Sequence, residues 1–174
     1  LETNCVPQDR LTSRWNLPLV LSGAVLILSG LVHFVIWLLS DSSWTGDVSW
    51  RKPTLFGLSG GITLLSMGAL LSRLESRRRD GWLSILLAFS MFVEVALISI
   101  QQWRGAASHF NRSTPLDSVV ETAISTLIVL VSLALIDLTL RAFGRMSGTV
   151  DCKLAWRSGM VFLLISCAIG FVIL

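Results

Sequence analysis

The residues able to do chemistry concentrate in one stretch, "RGAASHFNRSTPLD", residues 104–117. It brings Arg104, Ser108, His109, Asn111, Arg112, Thr114 and Asp117 within fourteen positions. A histidine titrates near neutrality and can act as general acid or base. An arginine fork can grip an anion. Further polar residues stand inside apolar runs, where they are costly and usually paired or functional. Glu94 lies seven residues before Gln101, two helical turns, so both share one helix face. His33 sits in an earlier apolar run, and Glu121 one turn beyond Asp117. The arrangement matches none of the motifs H-E-x-x-H, G-x-S-x-G or the P-loop.

Metal chemistry has little to build on. The chain has two histidines and three cysteines, Cys5, Cys152 and Cys167, with no C-x-x-C pair. A four-ligand zinc site cannot be assembled from such spacing, and no metal site is expected. Cys167 reads as a small buried hydrophobe. Haem is a minor reading, with His33 and His109 as axial ligands; otherwise no cofactor is assigned.

The elements that must position these residues follow from composition. Of 174 residues, 53% are hydrophobic and 14% charged, against about 25% charged in an ordinary soluble domain. The deficit points to an integral membrane protein with the lipid bilayer as its first partner. The net charge is only +3, with its basic residues in short clusters. A nucleic-acid partner is therefore not expected, since that needs a basic face on a folded surface.

Five apolar stretches, near 17–40, 53–74, 82–103, 115–142 and 155–174, can each cross the hydrocarbon, which takes about 20 helical residues. Lipid leaves backbone groups no water, so they must be helices, and no alternating pattern suggests a barrel. The expectation is an all-α, polytopic five-span bundle forming a single domain over 1–174. Its connections are short, and no internal repeat stands out. With "RLESRRRDG" in the cytoplasm, ten Lys and Arg fall inside (Arg10, Arg14, Arg73, Arg77, Arg78, Arg79, Arg141, Arg145, Lys153, Arg157). Four fall outside (Arg51, Lys52, Arg104, Arg112). That bias predicts a cytoplasmic N-terminus and an extracytoplasmic C-terminus. Trp15, Trp82 and Trp156 then fall at the inner boundary, and Trp37, Trp44, Trp50 and Trp103 at the outer, as interfacial anchors.

Small residues suggest the packing. Gly57 and Gly61 form G-x-x-x-G, with Gly68 continuing the face, and Gly23 and Gly30 line the first span. The first two spans are expected to pack closely there. Pro53 is expected at a helix start. Thr114, Pro115 and Asp117 read as N-cap, first and third residues of the fourth helix. Asp137 and Arg141, four apart, read as a helix-surface pair.

With that orientation, Glu94, Gln101, His33 and Glu121 all fall in the outer half of the bilayer. Above them stand Arg51, Lys52, Gln102, Arg104, Ser108, His109, Asn111 and Asp117. The expectation is a water-accessible binding pocket open to the extracytoplasmic face, with Glu94 at its floor and the loop folded over it. Ordinary readings stand beside it. Glu94 can hold a proton and serve as packing glue between helices. His33 can be a hydrogen-bonded interior residue, and Asp117 a helix start. Gln101 and Gln102 can rest at the interface, and His109 needs no role in a wet loop.

At "WRKPTLFGLS" and "RGAASHFNRSTPLD" the chain resembles a group of uncharacterised bacterial multispan membrane proteins. These are similar in an Arg-Lys-Pro span start and an Arg-Gly, Ser-His-Phe-Asn, Thr-Pro, Asp loop. The resemblance marks Arg51, Lys52, Pro53, Phe56, Gln102, Arg104, Gly105, Ser108, His109, Phe110, Asn111, Thr114 and Asp117. It implies a bacterial inner-membrane, multi-pass location and a specific loop, but no reaction.

Three function classes fit. The first is a non-catalytic binding or accessory subunit of a larger membrane complex, favoured by small size, no soluble domain and close-packing glycine faces. The second is a small membrane enzyme with His109 or Glu94 as acid–base and Arg104 or Lys52 gripping an anion. The third is a transporter or sensor, for which neither inverted repeats nor broken helices are visible.

Overall fold

The structure is a computed structural model describing residues 16–173, with side chains through Ile169. Arg10, Arg14, Trp15 and Cys5, used in the sequence reading, lie outside the described residues. Five helices follow in order: α1 Leu17–Leu38, α2 Arg51–Leu71, α3 Asp80–Trp103, α4 Pro115–Phe143 and α5 Val150–Ile173. All five are long and apolar enough to cross a membrane. Among the described residues there is no strand, only an isolated bridge between Leu74 and Met146. Large apolar side chains such as Leu28, Ile62, Phe89 and Phe162 face outward, as suits a lipid-facing surface.

The helix starts reflect capping as well as hydropathy. α2 begins at Arg51, with Pro53 third; first-turn N–H groups have no intrahelical partner, so proline is tolerated there. α5 begins five residues earlier than its apolar run suggests. Thr149 Oγ1 accepts the Cys152 N–H at 3.4 Å, with Asp151 in the first turn. A polar first turn can lie outside the hydrocarbon, so hydropathy alone misses it. α4 starts as its sequence predicts: Thr114 is extended, and its hydroxyl accepts the Asp117 N–H at 3.2 Å.

α2 is the most buried helix and α5 the least. α1 lies along α2 in the most extensive contact; α3 touches α1, α2 and α4, and α5 packs on α4. The expected glycine seam is present. A Cβ on Gly57 would fall 2.9 Å from Gly30 Cα, and one on Gly61 2.6 Å from Gly23 O. Only hydrogen fits where the backbones meet. Gly68 faces Leu19 at an ordinary 3.7 Å and is not part of the tight seam. The main core joins Leu19, Leu26, Leu64, Leu70, Leu87, Leu135, Leu138 and Met160.

One end of the bundle, which carries the α2–α3 and α4–α5 connections, is held by arginines. Arg141 donates to both carboxylate oxygens of Asp80, at 2.7 and 3.0 Å, and to Glu75 O at 3.1 Å. The expected Asp137–Arg141 pair forms, but as the longer contact of a buried Arg141 rather than a free surface pair. Asp137 takes Arg79, from α3's N-terminal side, and lies 3.8 Å from Arg141. Arg141 is on the buried side of α4, where Asp80 is the carboxylate it meets. Arg73 O accepts both the N–H and hydroxyl of Ser147, tying the two connections together. Arg157 donates to Ala142 O at 2.9 Å, covering the carboxyl end of α4. Cys152, at this end, is disulfide-bonded.

Candidate functional site

The opposite end carries the α1–α2 and α3–α4 connections and most of the expected site residues. The 104–114 loop is built by devices readable residue by residue. After α3, Ala106 N bonds Gln101 O and Gly105 N bonds Gln102 O, the hydrogen-bond pattern of a helix ended by a left-handed residue. Gly105, with φ +66°, supplies that conformation. Asn111 donates to Ala107 O at 3.2 Å and accepts from the N–H and hydroxyl of Ser113, folding the loop on itself. Between these sits Phe110, with φ +57° and 60% exposed. A bulky residue rarely adopts that conformation.

The expected site residues separate into distinct groups. In the first, Gln101 donates to Asp117 at 3.0 Å, and Arg104 donates to Asp117 at 3.1 Å and also to the Gln101 carbonyl. Thr114 closes the network on the other Asp117 oxygen at 2.7 Å. Asp117 and Gln101 are buried. The network joins the end of α3 to the start of α4.

In the second, His33 lies between elements. Its Nδ1 donates to Ser29 O at 2.8 Å, and its Nε2 accepts from the Trp103 indole at 3.4 Å. The ring stacks on Trp50 at 5.8 Å, and Trp50 meets Trp103 edge-on at 4.9 Å. Both His33 nitrogens are therefore engaged by protein groups. Trp50 and Trp103, read as interfacial anchors, also form a bracket between α1, α2 and α3. Their spacing in the chain carries no signal of that contact.

In the third, His109 points back at the bundle. Its ring lies 5.6 Å from Phe56, and Ser108 Oγ lies 2.9 Å from its Nδ1. Lys52 and Glu121 both act on it electrostatically. Burial, first, and the Lys52 ammonium, second, hold His109 below the usual histidine range, while Glu121 pulls the other way. Glu121 accepts from Arg112 at 2.8 Å. Arg51, Lys52 and Gln102 are half-exposed around this face.

Glu94 stands apart, buried on α3 at 5% exposure. One turn above it are Ile98, Val120 and Ile124, packed with Phe56. This apolar layer comes between Glu94 and the Gln101 and His109 groups. Arg104 and Asn111 spend their hydrogen bonds within the loop and on Asp117. The loop thus turns its His109 ring onto Phe56. The expected residues stand in the Asp117 network, the His33 bracket and the His109 group, with Glu94 buried on α3.

No family model, no curated protein and no solved structure matches this chain. The site is therefore read from its geometry. Among the described residues no three His, Cys, Asp or Glu side chains gather as a metal site requires. Two grooves open sideways along the helices. One, about 600 Å³, runs between α3 and α4 and is lined by Val93, Ser118, Val119, Thr122, Ala123, Thr126 and Leu127. The other, about 400 Å³, separates α2 from α5 at Ile62, Thr63, Ser66, Trp156 and Gly159.

Proposed function

We propose that this chain is a non-catalytic binding or accessory subunit of a larger complex in the bacterial inner membrane. The observation that carries the reading is the α3–α4 groove. Ser118, Thr122 and Thr126 recur every fourth residue along it, with Ala123 beside them. Each hydroxyl donates to the carbonyl four residues earlier, at 2.8 to 3.1 Å. The groove is thus small-featured, and these donors are already satisfied. In lipid such faces favour close approach by a second helix. Above it, Arg112–Glu121 and the His109 group form the polar rim that such a partner would meet.

The test is isolation from native membranes in mild detergent, followed by native mass spectrometry. The expected result is a larger assembly, dispersed by Ala123→Trp without loss of helical content. A wild-type chain found alone, or with lipid only, would overturn the reading.

The alternative is a small membrane enzyme with His109 as acid–base. What supports it is Ser108 against Nδ1 of a histidine flanked by Lys52 and Glu121. Counting against a joint role with Glu94 is the Ile98 layer between them. In this reading His109→Ala abolishes a turnover without dispersing any assembly.

For orientation we propose the arginine-rich end in the cytoplasm, supported by the count of ten basic residues against four. The disulfide at Cys152 favours the reverse, because disulfides persist in oxidising compartments.

A further inference from the structure

At the arginine-rich end, Arg141 binds Asp80, Arg79 binds Asp137 and Arg157 covers the carboxyl end of α4. Arg73 has no such partner. It is 2% exposed, and no hydrogen bond or ion pair joins its guanidinium to a described residue. Its Nε is shut from solvent altogether. The guanidinium stands over the Trp156 ring at 6.0 Å, the outer range of a cation–π contact. A Cβ on Gly148 would lie 3.1 Å from Arg73 Nη1, so this glycine leaves the guanidinium its room. A buried charge without a partner is costly.

Arg73 lines a cleft of about 400 Å³ between the α2–α3 and α4–α5 connections, together with Arg145 and Lys153. Among the described residues neither of these two has an ion-pair partner. Glu75 is the one acid in the lining, so three cations face one carboxylate there. That excess suits an anion, and an arginine fork matches phosphate oxygens. A second opening, also about 400 Å³, runs along the side of the bundle between α2 and α5, past Ile62, Ser66, Gly159 and Met160. Trp156 connects the two, because Arg73 stands over its ring and the ring lines the groove. Lys153, Trp156, Met160 and Leu163 recur every third or fourth residue of α5, so one helix face leads from cleft to groove. Arg73 lies just beyond the end of α2, and Lys153 in the first turn of α5. The cations therefore stand at the ends of the spans, at headgroup depth, and the apolar groove lies within the hydrocarbon.

We propose that this end of the bundle binds one anionic phospholipid, its phosphate in the cleft of Arg73, Arg145 and Lys153 and an acyl chain in the α2–α5 groove. A zwitterionic lipid would carry its ammonium into the same cationic cleft and is disfavoured. Free phosphate would leave the groove unused. The site rests on no part of the subunit reading, which uses the α3–α4 groove, and it holds for either orientation of the chain.

The test is thermal unfolding of the full chain in uncharged detergent at constant ionic strength. Three additions are compared: phosphatidylglycerol, phosphatidylcholine with the same acyl chains, and inorganic phosphate. Phosphatidylglycerol should raise Tm by several degrees, as a ligand bound only to the folded state must. The other two should leave it unchanged. Arg73→Met should lose the response, and Lys153→Gln should weaken it several-fold in apparent affinity. Gly159→Leu has open space at its Cβ, so it should fold, fill the groove and lose the response too. This variant and Lys153→Gln keep the test decisive if Arg73→Met does not fold. Equal shifts with phosphatidylglycerol and phosphatidylcholine would overturn the proposal, as would a full response in folded Arg73→Met. A shift with inorganic phosphate that matches the lipid's and survives Gly159→Leu would also overturn it, in favour of a free anion.

Discussion

Asp80 and Arg141 meet through a two-pronged ion pair, at 2.7 and 3.0 Å, although sixty-one residues separate them. Both side chains are buried, at 7% and 5% exposure. Asp80 also accepts the Arg77 N–H at 2.8 Å, so the same carboxylate shapes the start of α3. Removing one member of such a pair strands a charge. Arg141→Leu should cost about 3–5 kcal/mol in denaturant unfolding. Arg141→Lys should also lose stability, because an ammonium cannot reproduce the fork. Wild-type stability in either variant would refute the assigned role.

The α1–α2 seam leaves no room for a methyl group at Gly61, where Cβ would lie 2.6 Å from Gly23 O. Gly61→Ala should destabilise by roughly 1–3 kcal/mol through overpacking. Gly159, with nothing near its would-be Cβ, should accept alanine without loss. Comparing the two Tm values separates seam packing from helix propensity.

Phe110 holds φ +57° in an exposed loop position. Phe110→Asn should raise stability by about 1 kcal/mol, since asparagine tolerates this conformation and phenylalanine does not. A lower Tm would mean that the ring makes a contact worth more than the strain.

His109 has its folded pKa depressed by burial and Lys52. Its neutral form is therefore favoured in the folded state. The associated stability is full above the ordinary histidine value, about 6.5. It is lost as pH falls from there through the lowered folded value. His109→Gln should flatten this part of the pH–stability curve. An unchanged slope between the two proteins would exclude the assignment.

Orientation is measurable with cysteines placed in opposite connections, in a background lacking the native three. Ser43→Cys lies between α1 and α2, and Arg78→Cys between α2 and α3. With the arginine-rich end inside, an impermeant maleimide should label Ser43→Cys in intact cells and Arg78→Cys only after lysis. The reverse pattern would place the Cys152 disulfide on the oxidising side.

Much of the architecture was legible in the chain itself. Five helices arise because a run of about 20 apolar residues has one solution in hydrocarbon. The Thr114–Asp117 start and the Gly57–Gly30 seam were also legible. A cap spans three residues, and a small-residue seam needs only a fixed period along one helix. The candidate site was legible as a list of residues but not as a grouping. Depth places Glu94 below His109, yet hydropathy carries no record of the rotation that puts Ile98, Val120 and Phe56 between them.

The sequence alone therefore determined which segments are helical and which local devices begin and end them, because those depend on neighbours within a few residues. Tertiary structure decided the partners. Arg141 takes Asp80 rather than Asp137 as its close partner, Trp103 takes His33, and Asp117 takes Arg104 as well as Thr114. Each choice depends on the relative rotation and depth of packed helices, which distant residues set together.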